Sequence, residues 1–144
     1  MREILFRGKS VEDGKWFTGQ LLHFKSPVSE KELNVVVEGC EWDDSNEWFN
    51  LGRRAKVIPE TVGQFTGLTD KNGKKIFDGD ILDTPYTGKI KVCFDDGVFG
   101  ADCGDGYGVL PLRRSIFGEG GIVIGNIYDN PELLERSKDN EQIH

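Results

Sequence analysis

The sequence predicts a mainly β protein, its strands curled into a small barrel or sandwich, and three observations carry that expectation. Asp or Asn precedes Gly in "EDGK" at 12–15, "KNGK" at 71–74 and "DDGV" at 95–98, the pair that tolerates positive φ in tight hairpins. The stretch "GKIKVCF" at 88–94 alternates Ile90, Val92 and Phe94 with Lys89, Lys91 and Cys93, which is the period of a half-buried strand. The chain also spends 19 glycines between short, closely spaced apolar runs, as architectures of many short strands do.

Each element follows in order. The opening "MREILFRGKS" sets Arg2, Glu3 and Arg7 around three consecutive apolar residues, too few for the apolar core of a signal peptide. No apolar run approaches the roughly 20 residues that cross a bilayer, so a soluble, cytoplasmic protein without a membrane partner is expected. With 144 residues and 37% hydrophobic composition, the chain suffices for one compact domain or two small lobes sharing a core. "GCEWDDSNEWFNLG" at 39–52 shows no clean period, and reads as a structured excursion, partly helical at most. "KNG", "KIF", "DGD" and "ILDT" between 71 and 84 read as hairpin turn, short strand, turn and strand. "GIVIGNIY" at 121–128 is apolar on both faces, as a central strand would be. Phe65, Phe77, Phe94 and Tyr128 are assigned to the core of the C-terminal lobe, Phe94 because it shares a face with Ile90 and Val92. Asn130 is placed to cap a short helix whose first residue is Pro131, since proline there loses no useful donor. From Arg136 onward one apolar side chain remains, and that tail is expected to fray.

The formal net charge is −7, and no segment is basic: residues 1–56 carry 9 basic and 10 acidic groups, residues 57–129 carry 7 and 11, residues 130–144 carry 2 and 4. Phosphate neutralisation needs clustered Lys and Arg, so nucleic acid is disfavoured as a partner. Arg53 and Arg54 with Lys56 form the best local basic cluster and Arg113 with Arg114 the second, each set against the plainer reading of a solvated face.

Few patterns suggest chemistry. Cys40, Cys93 and Cys103 lack the two-residue spacing of zinc ligands, and only His23 and His144 could assist them; reduced, packed thiols are expected, with no metal and no cofactor. A calcium loop with Gly73 as its turn glycine would put Leu68 and Gly79 at the positions that need Asp and Glu. Asp70, Asp78 and Asp80 therefore read as turn formers rather than cation ligands. "GDGYG" at 104–108 and "GEGG" at 118–121 match neither a phosphate loop nor a dinucleotide fingerprint. A carboxylate pair such as Asp80 and Asp83 has the residue type for acid–base work, yet among 25 acidic residues such pairs arise readily by chance. No catalytic residue is assigned.

"TVGQFTGLTDKNGKKIFDGDIL" at 61–82 and "VIGNIYDNPELL" at 123–134 resemble the two signature blocks of the YopX family, small proteins of bacteriophages and prophages. "MREILFR" is similar to the family's opening, which usually continues Ala-Trp-Asp where this chain has Gly8, Lys9 and Ser10. The resemblance implies a mainly β protein with an SH3-like barrel and supplies no catalytic residues. The expected organisation is an N-terminal β lobe at 1–56 that includes the excursion, an SH3-like β-barrel lobe at 57–129, and a short helix with its tail at 130–144, in a protein of the host cell cytoplasm. The function expected is that of a non-catalytic accessory protein that binds a host or phage protein and forms a homo-oligomer through open strand edges. A small hydrolytic enzyme using carboxylates and a nucleic-acid-binding SH3-like module are the alternatives. Trp42, Trp48 and Phe49 are the candidate contact surface, because large aromatics in an irregular segment serve either as an internal plug or as interface anchors, and Arg53 and Arg54 are the adjoining candidates.

Overall fold

The computed structural model describes residues 2–85, 87–104, 108–112 and 120–135. Arg113, Arg114, His144, parts of the glycine-rich turns at 104–108 and 118–121, and the tail from Arg136 lie outside those residues. Within them the chain is almost wholly antiparallel β-structure, and it divides into two compact units, Met1–Gly67 and Leu68–His144.

The first unit contains β1 (Phe6–Lys9), β2 (Trp16–Lys25), β3 (Glu32–Asp43) and β4 (Trp48–Lys56), then a 3-10 turn at Pro59–Thr61 and the first part of β5 (Gly63–Thr69). Their order across the sheet is β4-β3-β2-β1-β5; β6 (Lys75–Phe77) comes next in the chain and lies in the second unit. Strand alternation sets Leu21, Val36 and Ala55 side by side across β2, β3 and β4, and this row packs with Phe17, Val57 and Val62 as the core. Burying a side chain of this size contributes about 1.5–3 kcal/mol. Two serines close the turns by one device. The Ser10 and Ser26 N–H groups donate to the Lys15 and Lys31 carbonyls at 2.8 and 2.9 Å, while their own carbonyls accept from Gly14 and Glu30 at 3.0 Å.

The second unit contains β7 (Asp80–Thr84), β8 (Gly88–Asp95), β9 (Val98–Asp102), β10 (Val109–Pro111) and β11 (Ile122–Asn126), ordered β10-β9-β8-β7-β11. Ile76, Leu82, Ile90, Val92 and Ala101 form its core, with Leu68, Cys103, Leu112 and Val123 packed around it. Among the described residues neither sheet closes into the barrel that the sequence led us to expect. The mainly β class, β6, the turn at 78–79, β7 and β8 lie where the sequence predicts them.

Five local expectations are corrected. The 39–52 excursion contains no helix: it is hairpin, with Trp42 opposite Phe49 and Asp43 opposite Trp48. β11 ends its sheet instead of crossing the centre. Its outer edge is occupied by the 70–74 turn, where the Lys71 N–H donates to the Gly121 carbonyl at 3.0 Å and the Val123 N–H donates to Asp70 Oδ2 at 3.0 Å, while Val123 packs toward the core and Ile122 and Ile124 stay exposed. The segment after Asn130 forms one 3-10 turn, Pro131–Leu134, without a side-chain cap, because the Asn130 oxygen accepts from the Asn126 N–H at 3.3 Å instead. Phe94 is 54% exposed. Its strand outruns the core, and it pairs edge to face with Phe99, directly across on β9, at 5.0 Å. Cys40 is exposed rather than packed, while Cys93 and Cys103 are half-buried, and all three are free thiols.

The three Asx-Gly turns also differ among themselves. Asp96 and Gly97 both have positive φ, 49° and 79°, so this two-residue loop is the primed type. At 71–73 only Gly73 is left-handed, with φ 83°. The Asp70 N–H donates to the Lys74 carbonyl and the Gly73 N–H to the Asp70 carbonyl, the pattern of a type I turn closed by a left-handed glycine. A Cβ on Gly73 would meet no atom within 4 Å, so a substitution costs backbone strain alone. Gly73→Val is expected to lower stability by roughly 1–3 kcal/mol in urea unfolding, with no dependence on calcium. Phe94→Ala is expected to cost about 0.5–1.5 kcal/mol, the worth of an aromatic pair, instead of the roughly 3–5 kcal/mol of a core phenylalanine; chemical denaturation separates the two values.

Candidate functional site: an exposed aromatic ribbon

β3 is long enough to serve two neighbours in succession. Its first half, Glu32–Val37, pairs with Lys25–Gln20 of β2. The paired register ends at Val37, and at Glu38 the Thr18 N–H donates to the side-chain Oε1 at 3.3 Å. Gly39 then takes φ 83°, a turn of backbone that side chains other than glycine's resist. Beyond it β3 pairs with β4 alone, through Cys40–Leu51, Glu41–Asn50, Trp42–Phe49 and Asp43–Trp48. The result is a two-stranded ribbon that departs from β2.

Directly opposed residues of an antiparallel pair share a face, so Cys40, Trp42, Phe49 and Leu51 form one apolar stripe. Trp42 is 59%, Trp48 63% and Phe49 46% exposed, which settles between plug and surface: all three rings face solvent. They are also held in place. Trp42 Nε1 donates to Asp44 Oδ1 at 2.7 Å, and the Trp48 and Phe49 rings stack with centroids 5.9 Å apart and planes 22° from parallel. The tip is organised by Asp43, whose carboxylate accepts from the Ser45 hydroxyl at 2.6 Å, the Ser45 N–H at 2.9 Å and the Asn46 amide at 2.9 Å. Those bonds, the Ser45 hydroxyl foremost, hold its carboxyl below the usual carboxylate range. At the root of the ribbon, Gln20, Leu22, Val37, Gly39, Cys40, Phe49 and Leu51 line a shallow apolar cavity of about 150 Å³. Leu22 and Phe24 of β2 are also large exposed apolar side chains.

Charge frames the stripe unevenly. Residues 40–51 contain four acids, Glu41, Asp43, Asp44 and Glu47, and no Lys, Arg or His, while Arg53, Arg54 and Lys56 follow at once. The two arginines do not make one patch, since consecutive strand residues point to opposite faces. Arg53 lies over the Phe17 ring at 4.4 Å with its Nε 4.0 Å from Glu38 Oε2. Arg54 donates to the Leu51 carbonyl at 3.3 Å and borders a cleft of about 380 Å³ with Ser10, Glu12, Asp13 and Lys56. Leu22, Phe24 and Leu51 were not singled out from sequence, and Cys40 was read there as a packed thiol instead of a surface residue. The signal for the last two was present, as Cys40-x-Trp42 and Phe49-x-Leu51 mirror each other across a four-residue turn.

The carboxylates weighed for chemistry have structural partners. Asp80 is buried and accepts from the Phe77 N–H at 2.7 Å, whereas Asp83 is exposed and three positions along the strand puts it on the opposite face. Asp70, also buried, accepts from the Asn72 and Lys74 N–H groups on Oδ1 at 2.9 and 2.8 Å and from Val123 on Oδ2. His23 Nδ1 sits 2.9 Å from Asn34 Oδ1 on an exposed face. Among the described residues no three His, Cys, Asp or Glu side chains converge to hold a metal ion, and no helix is long and apolar enough to cross a membrane.

Fold and site thus define an antiparallel β protein in which the two sequence blocks are structural and the exposed chemistry is aromatic. Residues 5–135 match the family model described as YopX protein, and the chain belongs to the YopX family. A solved structure, protein EF1440 from Enterococcus faecalis, is similar over 94% of this chain and 100% of its own, with 24% identity and a TM-score of 0.63; at that identity the likeness shows the fold alone. No curated protein matches the chain.

The Asp70 clamp has a pH signature. Burial would push its carboxyl up, but the N–H groups of Val123, Lys74 and Asn72, with the Lys74 charge, outweigh burial and leave it below the ordinary value. A lowered folded pKa stabilises the protein above the unfolded value of about 3.9, and that stability is lost as pH falls through the folded value. Asp70→Asn keeps an acceptor for the turn and removes the one for Val123. It is expected to cost about 1.5–3 kcal/mol at pH 7, with the gap to wild type narrowing below about pH 4 in urea titrations.

Proposed function

We propose that this protein is a phage or prophage accessory protein of the host cell cytoplasm that binds another protein and turns over no substrate. The carrying observation is the ribbon, whose aromatic rings are ordered by side-chain contacts yet left in solvent. Interface anchors have this character: large, rigid, amphipathic side chains that lose little entropy on docking, surrounded by a polar rim. An acidic rim opposes phosphate, so it favours a protein partner over nucleic acid. The engagement of Asp80 and Asp70 by backbone donors favours binding over hydrolysis. The sheet β10-β9-β8-β7-β11, a meander whose last strand returns to its first, is in this reading an open variant of the SH3-like barrel.

A pull-down from infected host cells, comparing wild type with Trp42→Ala and Trp48→Ala, tests the proposal. Loss of a captured protein in either variant is expected, with a melting temperature within about 2 °C of wild type, since truncating an exposed ring changes stability little. Equal capture by all three proteins, or turnover of a metabolite by the purified chain, would overturn it.

A further inference from the structure

We infer that the ribbon's first partner is a second copy of this chain, docked edge to edge along β4 with the two strands antiparallel. The inference rests on the ribbon being a protein interface and names its occupant. β4 ends its sheet, with β3 as its one strand neighbour among the described residues. The Val11 N–H donates to the Lys56 carbonyl at 2.9 Å and closes the outer edge at that end, which leaves Trp48–Arg54 as its open length. Such a row of backbone groups is a template for another strand.

Charge selects the strand. Acids occupy the tip side of β4, at Asp43, Asp44 and Glu47, and Arg54 and Lys56 occupy its root, so the edge is bipolar along its axis. Lysine and arginine on an edge normally discourage pairing. Here the same chain carries the compensating acids at matching separation, provided the second strand runs antiparallel. A two-fold axis near Leu51, the midpoint of the open length, lays Trp48 beside Arg54 of the second copy and Glu47 near its Lys56. The first pair brings a guanidinium to an exposed indole, the second an acid to a base, and the symmetry makes each contact twice. A basic peptide would satisfy the acids and leave Arg54 and Lys56 uncompensated; a parallel copy would set like charges together.

Sedimentation equilibrium of the full chain tests this, with circular dichroism confirming that each variant is folded. Wild type is expected to be a dimer whose dissociation constant rises at least about tenfold in 1 M salt, where screening acts within about 3 Å. Glu47→Lys alone and Lys56→Glu alone each create like-charge contacts and are expected to be monomeric at concentrations where wild type is paired. An equimolar mixture of the two variants restores every opposite pair, leaves Arg54 beside Trp48 and is expected to dimerise, as is the double variant carrying both changes. A monomeric wild type, a dimer indifferent to these substitutions, or a folded double variant that stays monomeric would overturn the inference. Capture of another protein by a monomeric wild type, lost in Trp48→Ala, would overturn the second copy alone and leave the ribbon's role as an interface standing.

Discussion

A buried carboxylate must collect donors or give up its charge, and Asp70 resolves this by drawing backbone from two distant parts of the second unit onto one side chain. Its Oδ1 holds the N–H groups of Asn72 and Lys74, its Oδ2 that of Val123, 53 residues away. The turn between β5 and β6 therefore becomes the cover for the free edge of β11. The Ile127 N–H adds a bond to the Gly79 carbonyl at 2.9 Å, and the Gly79 N–H one to the Val92 carbonyl at 2.8 Å. Gly125 admits the Asn130 side chain, whose oxygen would lie 2.5 Å from any Cβ at that position. The bonds from Val123 to Asp70 and from Ile127 to Gly79 join the block at 61–82 to the block at 123–134, and they give both a physical reason for their residues.

This is why the fold was more legible than its details. Turns announce themselves locally, through Asx-Gly pairs whose backbone preference travels with the residues. Strand period states which side chains share a face, but it cannot state where the core beneath that face ends. Ile90 and Val92 are fully buried and Phe94, on the same face of the same strand, is not. An apolar run such as that of β11 needs cover on its edge, and whether cover comes from a strand or from a carboxylate depends on pairing between distant segments. Asp70 was read correctly as a turn former, while its third donor lay beyond any local pattern.

The site divides in the same way. Trp42, Trp48 and Phe49 were legible because three large aromatics in a short polar segment need an explanation. Their setting was not, since the stripe has no buried face against which a period could show. Leu22 joins Cys40, Phe49 and Leu51 around one shallow cavity only because β2, β3 and β4 are neighbours. Arg53 and Arg54 looked like one cluster in the sequence and are separated by the pleat.

The long reach of Asp70 also bears on the order in which the chain assembles during synthesis. β2, β3 and β4 form consecutive hairpins with short connections, and such local pairing is kinetically cheap because little loop entropy is spent before contacts form. The second unit shares this advantage through β7, β8 and β9, which are also consecutive hairpins, but its closing strand does not. β11 pairs with β7 from roughly 40 residues downstream, and until Val123 emerges from the ribosome at about 5–20 residues per second, Asp70 lacks one of its three donors. For that interval of seconds the nascent chain carries a formed aromatic ribbon ahead of an unfinished sheet, so the surface available for pairing exists before the protein is complete.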